Sequence, residues 1–67
     1  MEYKEYTDRL APLLARYKNA SKNNCKLTAH ARVRDMAKLY AEYRGVSYDE
    51  AHRLFSDCLQ TNGFIPN

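Results

Sequence analysis

Residues 41–51 read Ala41-Glu42-Tyr43-Arg44-Gly45-Val46-Ser47-Tyr48-Asp49-Glu50-Ala51. This stretch writes the end of one helix and the start of another. Gly45 suits the left-handed position just past a helix, and Val46 can fold back on Ala41. Ser47 suits the N-cap, and Glu50 three residues later completes a capping box. Val46 then serves both helix ends, which predicts a very tight connection. Downstream, Ala51, Leu54, Phe55, Cys58 and Leu59 recur at i, i+3, i+4, i+7 and i+8, a core stripe on a helix over 48–61. Asn62-Gly63 is expected to end that helix, Phe64 to pack back on Leu59, and Pro66 to stop continuation.

Upstream, Val33, Met36, Ala37, Leu39, Tyr40, Ala41 and Tyr43 give a wide apolar face, with Asp35, Lys38 and Glu42 on the wet side. This predicts a central helix over 29–44, with Thr28 as its N-cap. Residues 25–31 admit a second reading. Cys25, Leu27, Ala29 and Ala31 alternate with Lys26, Thr28, His30 and Arg32, the period of a strand. Alanine favours the helix. Residues 19–24, Asn-Ala-Ser-Lys-Asn-Asn, read as a linker. Before it, Tyr3, Tyr6, Leu10, Leu13, Leu14 and Tyr17 keep one helical phase across Pro12, which predicts a helix over 2–19 kinked at Pro12. The expected fold is a single all-α domain of three helices spanning 1–67.

The chain has 67 residues, 45% hydrophobic and 28% charged, a globular balance. Six Tyr and two Phe are many for this size. A chain this short hides only about 60% of its unfolded surface, so a dimer that completes the core is expected. It is also short for an enzyme cleft, and no catalytic role is expected. His30 and His52 have no dyad partner that makes acid–base chemistry the better reading. His52 and Ser56 stand at i, i+4, a common chance spacing. Two Cys and two His at no paired spacing predict no metal site, and no cofactor is expected. No apolar run approaches the ~20 residues of a membrane span, and mean hydropathy is −0.74. The first residues lack the apolar run of a signal peptide. With only Cys25 and Cys58, reduced thiols and a cytoplasmic location are expected.

Charge is unevenly spread. The total is +3, but Arg9, Arg16, Lys18, Lys22, Lys26, Arg32 and Arg34 fall within residues 9–34 with no acid among them. The flanking segments are each net negative. Such asymmetry points to a polyanionic partner, nucleic acid first, or to a solvated basic connector.

Ala41, Gly45-Val46-Ser47, Ala51 and Leu54 resemble the centre of a helix-turn-helix DNA-binding motif. That resemblance covers about 20 residues, Ala37 to Phe55. It implies that the second helix enters the major groove, with Ser47, Tyr48, His52 and Arg53 facing the bases. The chain departs from the pattern at Arg44, where an apolar residue is usual, and at Asp49-Glu50, which would repel phosphates. The Gly45-Val46-Ser47 turn also resembles a ribbon-helix-helix repressor. That resemblance implies a dimer in which Cys25–Ala31 is a strand and Lys26, Thr28 and His30 read bases. It departs in having 24 residues before the strand. The expected site is therefore drawn from Arg16, Lys18, Lys22, Lys26, His30, Arg32, Arg34, Tyr48, His52 and Arg53. The leading expectation is a small regulator that binds nucleic acid. The alternative is an adaptor or inhibitor, of the kind phages and plasmids encode, acting on an acidic host protein through exposed Tyr and Arg.

Overall fold

A computed structural model describes residues 1–61 and shows three helices, α1 (Tyr3–Lys22), α2 (Lys26–Arg44) and α3 (Tyr48–Thr61). The expected stop at Asn62-Gly63 and the return of Phe64 lie outside the described residues.

α1 runs to Lys22, three residues past its expected end. The linker reading of residues 19–24 is corrected: Asn19 to Lys22 are helical. Ala20 is buried, and packing of this last turn outweighs the weak helix preference of Asn and Ser. Pro12 lies inside α1 with its side chain exposed. The carbonyl of Asp8, which loses its usual donor there, belongs to an exposed residue that water can reach.

The two connections share one device. At the end of α1, Cys25 N–H donates to the Ala20 carbonyl at 2.8 Å and Asn24 N–H to the Ser21 carbonyl at 3.2 Å. Asn24 is left-handed, with φ 59°. These are the paired bonds of a Schellman motif, with Asn in glycine's place. At the end of α2, Gly45 has φ 69° and ψ 31°. Gly45 and Val46 N–H both donate to the Ala41 carbonyl, at 2.8 and 3.2 Å. Ser47 Oγ then accepts the Glu50 N–H at 3.2 Å, the expected cap of α3. A Cβ at Gly45 would meet nothing within 4 Å, so only backbone strain resists substitution there. Replacing Asn24 or Gly45 with Val is expected to cost more than about 1 kcal/mol each. Urea unfolding measures it, and parental midpoints in both variants would contradict the left-handed geometry.

α2 begins at Lys26, so residues 26–31 are helical and the strand reading is corrected. The ribbon-helix-helix alternative goes with it, because its ribbon would be built from those residues. The physical reason is local. The Schellman closure at Asn24 delivers Cys25 directly into α2, whose first bond runs from Ala29 N–H to the Cys25 carbonyl at 2.9 Å. The expected N-cap Thr28 lies inside the helix, and Cys25 holds the cap position without a side-chain bond.

α1 and α3 each pack on α2. The core joins Tyr6 and Leu10 of α1, Met36, Ala37, Leu39 and Tyr40 of α2, and Ala51 and Phe55 of α3. Rings set its geometry. Tyr6 stacks on Tyr43 with centroids 4.3 Å apart, and Tyr40 meets Phe55 edge-on at 5.5 Å. These contacts place the start of α1 against the end of α2, so the two helices run antiparallel. Leu54 was expected in the α3 core stripe, but it is 37% exposed. α3 packs on a single neighbour, α2, so its buried sector is narrower than the sequence stripe.

Candidate nucleic-acid interface

The antiparallel hairpin turns an uneven sequence into an uneven surface. The end of α1, with Arg16, Lys18 and Lys22, meets the start of α2, with Lys26, His30 and Arg34. All six side chains are exposed. The acids Glu2, Glu5 and Asp8 lie at the start of α1, with Glu42 near the end of α2 and Asp49 and Glu50 at the start of α3. Asp35 is mid-α2 and paired with Arg32, and exposed Asp57, near the end of α3, is the one acid on the side of the basic pole among the described residues. The molecule therefore has a basic pole and an opposite, mixed pole rich in carboxylates. No acid occupies the first turn of α2, so the positive end of its backbone dipole adds to the basic pole.

A groove of about 880 Å³ opens at this pole between the end of α1, the start of α2 and α3. Its polar lining includes Lys26, His30 and Arg34 of α2 and His52 and Ser56 of α3. Val33, Leu59 and Tyr17 give it apolar wall, and among the described residues no carboxylate lines it. Leu27 stands on the same lining and is 90% exposed. Lys26, His30 and Arg34 lie on one stripe because they are four residues apart on a continuous helix. Had residues 25–31 been a strand, Lys26, Thr28 and His30 would have shared a face instead.

The expected site residues thus divide. Lys26, His30, Arg34 and His52 are brought together around one groove. Arg16, Lys18 and Lys22 surround the pole without lining the groove. Arg32 is half-buried and committed to Asp35, its Nη2 lying 3.2 Å from Oδ2. Arg53 is exposed outside the groove, and Tyr48 lies half-buried beside His52, ring centroids 5.8 Å apart. The helix-turn-helix candidates Tyr48 and Arg53 therefore sit apart from the basic cluster, next to Asp49 and Glu50.

Sequence reading missed Tyr17, Ser21 and Ser56 as parts of the groove. Tyr17 packs half-buried against the core, as its place in the α1 stripe predicts, and also borders the groove. Cys25, exposed, and Cys58, half-buried, are not bonded to each other. Among the described residues no cluster of His, Cys, Asp or Glu could hold a metal ion. No helix there is long and apolar enough to cross a membrane.

Arg44, which departs from the helix-turn-helix pattern, has a different occupation. Its guanidinium is hydrogen-bonded to the Tyr40 side chain, which raises its pKa above the ordinary arginine value. It also lies 5.9 Å from the centre of the Tyr43 ring. Arg44 therefore covers the aromatic end of the core.

No protein-family model, curated protein or solved structure matches this chain.

Proposed function

We propose that this chain is a small, non-enzymatic, cytoplasmic regulator that binds nucleic acid at its basic pole as a homodimer. The observation that carries the reading is a groove whose described lining includes Lys26, His30 and Arg34 and no carboxylate, with Arg16, Lys18 and Lys22 around it. Contacts from this pole are favoured over insertion of α3 into a major groove, because Asp49 and Glu50 occupy the first turn of α3. Uncovered Tyr3, 57% exposed, supports a second chain. The free thiols support a reducing compartment.

The test is a titration of DNA and RNA at several salt concentrations. Engagement of four or five phosphates by the pole gives a log–log slope of roughly −3 to −5 per protomer. Replacing Lys26 and Arg34 together with Ala is expected to flatten that slope by about 1.5 to 2. Stability should hardly change, since both side chains are exposed. Light scattering that returns one chain's mass at all concentrations removes the dimer and leaves the pole.

The exposure of Leu27 favours one second reading, an adaptor or inhibitor docking on an acidic host protein. Absence of nucleic-acid binding even at about 50 mM salt selects it over the first reading.

A further inference from the structure

We infer that the groove at the basic pole takes a single strand of nucleic acid rather than a duplex. This rests on the basic-pole reading and deepens it. The argument begins with shape. A protein that reads a duplex inserts a protruding helix or ribbon into a groove about 12 Å wide. Here the cations line a concave opening of about 880 Å³ shared by three helices. A flexible strand can enter such an opening and meet the cations on its lining, where a stiff duplex meets only those at the rim.

Charge placement agrees. Lys26, His30 and Arg34 form a row along α2 with steps of about 6 Å. His52 faces the same groove from α3. Imidazole keeps at least one N–H donor in either protonation state, so each His can bond a phosphate oxygen. A row of donors with no carboxylate among the described lining residues suits a linear chain of phosphates.

The apolar lining gives the bases a place. Single-strand binders combine a cationic groove with apolar or aromatic surfaces for unstacked bases. Tyr17 supplies a ring from α1, and Leu27 supplies an apolar rim that the fold leaves almost wholly in water.

The experiment is fluorescence anisotropy at low salt with a labelled oligothymidine, an oligouridine and a mixed-sequence duplex of equal length. The single strands are expected to bind at least about tenfold more tightly than the duplex. Arg34→Ala and His30→Ala should each weaken single-strand binding severalfold, and more than Arg16→Ala or Lys18→Ala. Leu27→Ser is the cleanest variant, because an exposed side chain can be changed without loss of the fold. It should weaken single-strand binding with an unchanged melting temperature. Tighter duplex binding overturns the inference and leaves the basic pole standing. So does loss of affinity in the Arg16 and Lys18 variants with none in the groove variants. If neither strand nor duplex binds, the basic-pole reading itself fails. Displacement of the oligothymidine by an equal charge concentration of polyglutamate overturns the inference in favour of an acidic protein segment.

Discussion

Phe55→Ala is expected to remove about 3–5 kcal/mol, at least about a third of the stability of the fold, while Leu54→Ala one residue away leaves the domain nearly as stable as the parent. Phe55 is fully buried and meets Tyr40 edge-on. Removing a buried Phe costs about 3–5 kcal/mol, from lost transfer energy and the cavity left behind. A domain of this length holds only about 3–10 kcal/mol in total. Leu54 is already 37% exposed, so its truncation should cost less than about 1 kcal/mol. Thermal unfolding followed by circular dichroism reads both. Equal losses in the two variants would mean that α3 is rotated about its axis from the position described.

The contrast marks what the sequence could and could not show. The Gly45-Val46-Ser47 turn was legible because its stereochemistry is local: a left-handed residue, a returning apolar contact and a capping hydroxyl. The three helices followed from the phase of their apolar residues. The breadth of the buried face on α3 was not legible, because it depends on how many neighbours a helix has. The end of α1 was misread for a similar reason. Asn19 to Lys22 look like a linker until Ala20 is seen to pack. The groove was half legible. The cations were evident in residues 9–34, but their common face required residues 25–31 to be helical. Contributions from Ser56 and Leu59 needed the α2–α3 packing. The role of Arg44 also became visible only when Tyr40 and Tyr43 were placed beside it.

The second large effect concerns alkaline pH. Burial pushes the Tyr6 hydroxyl up to about 12 from the ordinary 10, and the neighbouring Tyr40, Tyr43 and Tyr3 add to the rise, against a lowering by Arg44. The folded state therefore holds this proton more tightly than the unfolded chain does. The associated stability is fully present below pH 10 and is lost as pH rises through 12. About two pH units correspond to roughly 2–3 kcal/mol. The fold is expected to weaken by that amount between pH 9 and 12, as read by urea unfolding. Tyr6→Phe removes the ionisation, so the variant should lose correspondingly less over the same interval, whatever its starting stability. Equal losses in parent and variant would show that Tyr6 does not hold its proton in this way.

Because α1 packs on α2 and α2 on α3, each helix finds its partner next to it in sequence. The connectors, Asn23 to Cys25 and Gly45 to Ser47, close loops so short that little chain freedom is spent before contacts form. Native pairings of this local kind place a domain among rapid folders, on the order of microseconds to milliseconds. The α1–α2 hairpin carries six of the eight buried core residues of the cluster, so most of the core rests on this one local pairing. Speed of assembly, more than depth of core, is what this arrangement gives a chain of 67 residues.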